Sequence, residues 1–368
     1  MSLYEIDVAA CRGRQQRLVA EMQRQEVDLV IVTQFEHVQW LAGPKFGWAF
    51  QPAAALSADG QLTLIAPNEA PETAAADQVV TYEAQWHATL RNDQRQASSE
   101  ALIKALGRTN VPRRIGVEFS TFPPHLAGPL DAELVDIEPR LYWLRRRKDA
   151  DELALMKKAI AATGKMYERA RQIIRPGINE LTVFNELQTA AINELRERHT
   201  GTGNDYQCGS RGGPPRDRPA RDGQLYILDL SAAFRGYFSD NARTIAVNGR
   251  PTEEQHEAWQ YIMEVFAHVE QAVKPGKNAT QLYHEAKAIL DEAPLGEFSH
   301  HLGHGIGLFP HEAPHLNPHW DDTFQASEVF TCEPGLYAPE LAMGMRIENN
   351  YLVTEDGLEL LTDFPLEL

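Results

Sequence analysis

Two stretches of this chain put carboxylates where an apolar strand would ordinarily exclude them. LYILDLSAAFRGYFSDNARTIAV (225–247) carries Asp229 inside an apolar run and Asp240 just past a turn-like Arg235-Gly236. SEVFTCEPGLYAPELAMGMRIENNYLV (327–353) repeats the device with Glu333 and Glu348. A hairpin centred between Phe234 and Arg235 would set Asp229 opposite Asp240. One centred between Glu340 and Leu341 would set Glu333 opposite Glu348. Residues so opposed share a face of the sheet, with Cβ atoms about 4.5–5.5 Å apart. Buried carboxylates this close repel one another, and burial sharpens the penalty. Four such acids are offset by two divalent cations, charge for charge. The chemistry this predicts is that of a two-metal hydrolase, whose ions sit about 3.5–4 Å apart.

Six of the thirteen histidines fall between His300 and His319, most of them in HHLGHGIGLFPHE (300–312). Gly303, Gly305 and Gly307 do not make a nucleotide loop: no strand-then-helix pattern surrounds them, and histidines have no place in one. Glycines there fit close backbone approach, letting a strand that carries His304 come near the ions. His300, His304 and His311 then supply one ligand and two hydrogen-bonding groups. His301, His315 and His319 read as surface histidines, the last two in HEAPHLNPH, whose prolines mark an ordered loop. One imidazole among oxygen ligands favours manganese, cobalt or zinc over magnesium.

The elements that must position these groups can be sketched. A chain of 368 residues suggests two domains, here 1–143 and 144–368. The first alternates a helix (10–26), a buried strand (27–33), a hairpin (53–67) turning at Asp59-Gly60, a helix (96–107) and a strand (113–119), a small α/β domain. LRRRKDADEL (144–153) opens a long helix, with Arg145–Lys148 as a solvated linker. Within the second domain, 170–192 echoes 268–290: helix, basic residue, Pro-Gly, Asn, helix. Each copy precedes one acidic pair, which points to two related halves.

Bulk properties narrow the partners. A formal charge of -17 disfavours nucleic acid and anionic membranes. Cys11, Cys208 and Cys332 are far apart, as in a reducing compartment. The first residues lack the apolar core of a signal peptide, and no run approaches the ~18 apolar residues of a membrane span. The expectation is a soluble, cytoplasmic protein.

The motifs LDLxxxxxGYxxDxxRT, HxxxHGxG, EPGLY and RIEN, in that order, resemble the Xaa-Pro peptidase branch of the pita-bread metallopeptidases, which includes prolidase and aminopeptidase P. The resemblance implies an α/β (α+β) chain: a small creatinase-like N-terminal domain, then a pseudo-symmetric pita-bread catalytic domain. It implies five ligands for two divalent ions, manganese first and cobalt or zinc as alternatives. Asp240 and Glu348 would bridge, Asp229 would complete one ion, and His304 and Glu333 the other. Glu333 would also shuttle protons. His300 and His311 would contact substrate and the developing oxyanion, and Arg346 would support ligands and substrate. A homodimer is implied, with the N-terminal domain helping to close the partner's site.

One loop departs from the family. Where a histidine is usual, GSRGGPPRDRP (209–219) offers Arg216. A guanidinium cannot act as a base but can grip a substrate carboxylate bidentately, with Arg211 or Arg218 assisting. That leans toward short substrates with a free C-terminus. Tyr337, Leu341 and Met343 are candidates for the wall of a proline pocket. The resulting expectation is a Xaa-Pro dipeptidase, with aminopeptidase P acting on longer peptides as the alternative. A pita-bread domain serving only as a binding module, or working without metal as creatinase does, is the reading from another class; the intact ligand series argues against both.

Overall fold

The computed structural model of the protein describes residue 4 and residues 6–47, 49–107 and 112–368. They form two compact units, 1–145 and 146–368. The first is built on a six-stranded sheet in the order Gln78–Tyr82, Leu62–Pro67, Ala53–Ser57, Leu29–Val32, Arg114–Val117, Glu133–Asp136. Leu29–Val32 lies at its centre and is buried throughout, as a continuous apolar run should be. The hairpin 53–67 turns where expected, and Gly60 (φ +88°) supplies the left-handed residue. The expected first helix is Val8–Arg24; it starts two residues early because Asp7 caps it, accepting from the Ala10 N–H at 3.0 Å. In this unit Glu118 is buried beside His37 (2.6 Å to Nδ1) and accepts from the backbone N–H of Thr33 at 2.7 Å.

The second unit repeats one device. Helices Ala150–Ile173 and Glu180–Leu195 are joined through Pro176-Gly177, and Glu253–Ala272 and Ala279–Leu290 through Pro275-Gly276. Both glycines adopt positive φ, +89° and +94°. In each copy an asparagine then caps the next helix: Asn179 accepts from Leu181 N (2.9 Å) and Asn278 from Gln281 N (2.8 Å). The echo in the sequence is thus a repeated turn with the same backbone chemistry. Each helix pair accompanies a sheet. The first has the order Asp205–Cys208, Leu225–Leu230, Asn241–Ala246. The second has the order Glu312–Leu316, Gly303–Gly305, Val329–Cys332, Asn349–Val353, Leu358–Leu360. Ile262, Val265 and Val269 of one helix pack with Phe330, Tyr351 and Val353 in a single buried cluster.

Two expectations are corrected. Arg145–Lys148 is not a solvated linker: Arg145, Arg146 and Lys148 are 2%, 7% and 3% exposed. Arg146 Nε donates to Glu328 at 2.6 Å, and Lys148 Nζ to Glu312 at 2.9 Å. Buried carboxylates required these counter-charges. The stretch read as a proline-marked loop includes a strand, Glu312–Leu316, opposite Gly303–Gly305. No helix among the described residues is long and apolar enough to cross a membrane.

Candidate metal centre

The first acidic hairpin pairs Asp229 with Ala242, not with Asp240. Phe234 bridges Tyr237, and the central Arg235 and Gly236 both have positive φ (+50° and +95°). A two-residue turn of this kind needs that conformation at both positions. The turn therefore centres one residue later than expected, and the register moves by two. A shift of two keeps the face, and the ligand atoms of Asp229 and Asp240 still lie within 4.8 Å of each other. In the second hairpin Cys332 opposes Asn349 and Gly335 opposes Arg346, so Glu333 falls opposite Glu348 as expected. The hairpins are stitched together. Glu348 N donates to Ala242 O at 2.9 Å. Asn350 grips the peptide of Asp240, donating to its carbonyl (2.5 Å) and accepting from its N–H (3.3 Å).

His304 enters on the short strand Gly303–Gly305. A Cβ on Gly303 would collide with Thr331 O, and one on Gly305 with Ala313 O. The glycines thus serve close approach between strands, rather than the expected approach to ions. His304 Nδ1–H donates to Gly305 O at 3.0 Å, which leaves Nε2 facing the acids, 3.6 Å from Glu333 and 3.9 Å from Asp240. That tautomer suits a metal ligand.

The ligand-type atoms of Asp229, Asp240 and Glu348 lie within 4.8 Å of one another, and so do those of His304, Glu333 and Glu348. The two sets share Glu348 and adjoin at Asp240, which also groups with His304 and His311. Burial, then the neighbouring carboxylates, push Asp240 and Glu348 well above the usual carboxyl range. Burial also raises Asp229, against the pull of Arg346. Burial lowers His304 to about 3. Glu348 Oε2 is buried without a hydrogen-bond partner. An orphaned carboxylate oxygen among repelling acids, with one neutral imidazole, is a donor set that fits divalent cations.

These groups line a cavity of about 330 Å³ that also takes in His300, His301, His311, Tyr337, Arg346 and Arg211. Arg346 donates to Asp229 (2.7 Å), to Asp205 (2.5 Å) and to the Tyr337 hydroxyl (3.2 Å). His300 Nδ1–H donates to His301 O, so its Nε2 accepts from Tyr337 at 3.0 Å. Burial holds His300 down, at about 4. The His311 ring stacks on His304 at 3.8 Å.

Several placements differ from expectation. His301 is not a surface residue; its Nε2 lies 2.8 Å from Glu333, and this contact, against burial, brings Glu333 down to about 2. Arg216 does not line the cavity. Its guanidinium forms a bidentate pair with buried Glu180 (2.6 and 2.9 Å) and ties down Cys208 O, which Arg218 also holds. Arg211 reaches the cavity instead, over the Tyr337 ring at 5.4 Å. It makes no hydrogen bond or ion pair among the described residues. Of the proposed wall, Tyr337 faces the cavity, Leu341 is core and Met343 is exposed. Asp205 was missed because nothing in NDYQC marks it until the fold sets it opposite Asp229.

Residues 154–355 match the pattern of metallopeptidase family M24. The chain is a member of that family. Residues 14–147 match the creatinase/prolidase N-terminal domain, so the M24 region follows a creatinase-like domain as expected. An uncharacterised peptidase of Staphylococcus epidermidis is 32% identical over 234 residues, which span 62% of this chain and 66% of that protein. The prolidase of Pyrococcus horikoshii OT3 superposes with a TM-score of 0.81 at 25% identity, over 97% of this chain and 99% of its own. A His350Ala form of Escherichia coli aminopeptidase P shares the M24 fold, with a TM-score of 0.79 at 19% identity over 97% and 95% of the two chains.

Proposed function

We propose that this M24 protein is a dinuclear metal-dependent Xaa-Pro dipeptidase. The observation that carries the reading is the convergence of Asp229, Asp240, His304, Glu333 and Glu348 in one cavity with Arg211 beside them. Asp240 and Glu348 would bridge two ions, manganese in first place, with Asp229 on one side and His304 and Glu333 on the other. When bound, such ions supply Lewis acidity and lower the pKa of water toward neutrality.

The chain's own groups account for the rest. Glu333 takes the proton of the attacking water and delivers it to the proline nitrogen, which leaves as an amine. His301 Nε2 beside Glu333 holds that carboxylate in place. His311 is the better donor to the developing oxyanion, because both nitrogens of His300 are engaged. His300 and Tyr337 position the substrate, and Arg346 fixes Asp229 and Tyr337 together. A bond before proline has no N–H to offer a strand-like groove, so a small dedicated cavity suits it. Arg211, rather than Arg216, supplies the cation for a substrate carboxylate, which favours dipeptides over longer chains. The prolidase neighbour supports this choice.

The test is purified protein with manganese, given Xaa-Pro and Xaa-Pro-Yaa side by side. Cleavage of Xaa-Pro is expected. Cleavage confined to the longer peptide would make it an aminopeptidase P. Absence of both metal and activity would make it a binding module.

A further inference from the structure

Behind the metal centre, Arg243 is 1% exposed and spends all five of its N–H groups. One terminal nitrogen donates to Glu348 O (2.6 Å) and Ala242 O (2.8 Å). The other donates to Asn349 Oδ1 (2.9 Å) and Phe364 O (3.2 Å), and Nε donates to Pro365 O (2.8 Å). The guanidinium thus joins the strands of two ligands to the segment that follows the last strand. That segment is held in turn. Phe364 lies under the guanidinium at 4.8 Å, stacks on Tyr167 at 5.3 Å, and sits against Gly164, where a Cβ would be 3.1 Å from its ring. Thr362 Oγ1 accepts from Asn241 Nδ2 and from Asn350 N, both at 2.8 Å. The Tyr167 hydroxyl faces Leu228 O (2.9 Å) and Asn241 O (2.5 Å), spanning the two strands of the first hairpin.

Leu228 precedes Asp229, Asn241 follows Asp240, and the third pinned carbonyl is that of Glu348 itself. Three carboxylates that repel one another therefore stand on backbone clamped from one side. We propose that Thr362, acting through Asn241 and Asn350, and Phe364, acting through Arg243 and Tyr167, are positioning residues that set how tightly the site holds divalent ions. The proposal rests on the ligand assignment made above. Repulsion among the acids works to spread the two strands, and the clamp keeps donor atoms at cation spacing. Groups that orient ligands in this way change metal affinity by about 10–100-fold when removed.

The experiment titrates metal-stripped protein with Mn²⁺ and Co²⁺ against a competing chelator, and records the visible spectrum of the cobalt form. Thr362→Val and Phe364→Ala should each weaken binding about 10-fold or more and alter the cobalt bands, while Thr362→Ser, which keeps the hydroxyl, should bind like the parent. Should Phe364→Ala not fold, the Val and Ser pair decides alone. Affinities of Thr362→Val within about twofold of the parent would overturn the brace while leaving the ligand assignment intact. A parent protein that binds neither ion would overturn the assignment, and the brace with it.

Discussion

Replacing Glu348 by Gln should stabilise the metal-free protein while crippling the metal-loaded one. Glu348 is 1% exposed, one of its oxygens has no hydrogen-bond partner, and its ligand atom lies within 4.8 Å of those of Asp229 and Asp240. At that spacing each ionised pair repels by about 3.5 kcal/mol at an effective dielectric of about 20. Uptake of a proton caps the cost, so the net relief from a neutral isostere is set at about 1–3 kcal/mol. In a unit of this size each kcal/mol moves Tm by about 2–4 °C. The metal-free variant should therefore melt several degrees above the metal-free parent. With manganese the order should reverse. The parent gains about 2.7 kcal/mol when free metal reaches about 100 times its Kd, and the variant gains far less. The assay is calorimetry of both proteins, stripped and loaded. A stripped variant that melts below the stripped parent would refute the claim that these acids are held together against their own repulsion.

Other outcomes follow from single contacts. Arg211→Ala should cut kcat/KM on Xaa-Pro about 10-fold, the low end for a charge-assisted bond given the arginine's exposure, and leave Xaa-Pro amides unchanged; equal losses on both would remove Arg211 from carboxylate recognition. Lys148→Met removes the counter-charge from the buried Glu312 carboxylate, 6% exposed, so urea unfolding should show a loss of about 3–5 kcal/mol, part of it regained when Glu312 is also made apolar. Burial pushes Glu118 up, but the contacts with His37, Thr33 and Gln34 outweigh it and bring its carboxyl below the usual range. A depressed carboxyl lends stability above its unfolded-state pKa and loses it as pH falls through the folded value. Acid titration followed by the fluorescence of buried Trp40 should therefore show a transition below the ordinary glutamate range that Glu118→Gln flattens.

What could be read from the sequence was local. The helix–Pro-Gly–Asn–helix echo became two copies of one capped turn because the turn chemistry is contained in four residues. The second acidic hairpin could be registered from its centre alone. The first was misplaced by two residues because the conformation of Arg235, a non-glycine at positive φ, is not announced by its type. The errors that matter involve partners distant in sequence. Arg216 looked free for substrate until Glu180, 36 residues earlier, took it. Lys148 looked solvated until Glu312, 164 residues away, buried it. His301 looked superficial beside His300, yet the bend of the chain turns both toward Glu333. A charge in a sequence is a request for a partner, and only the fold says which one answers.

The division of charge around the cavity bears on how the proposed reaction runs. Arg346 stands on the Asp229 side and is shared with Asp205, so that flank has a permanent counter-cation. The flank of Glu333 has imidazoles instead: His304 at 3.6 Å and His301 at 2.8 Å. A guanidinium cannot give up a proton at working pH, whereas an imidazole can gain or lose one. The Asp229 side thus has a fixed counter-charge, and the Glu333 side has a neighbour able to exchange a proton. A carboxylate meant to carry a proton from water to a leaving amine must pass through its neutral form. Glu333 can do so beside His301, whose own protonation follows that of its neighbour. Asp229 has no such neighbour among the described residues to exchange a proton with: burial raises its carboxyl, and Arg346 beside it only opposes that rise as a fixed charge. The pseudo-symmetry of the two hairpins supplies matched pairs of acids, and the departure from symmetry, Arg346 facing one pair and histidines the other, gives the acids different work.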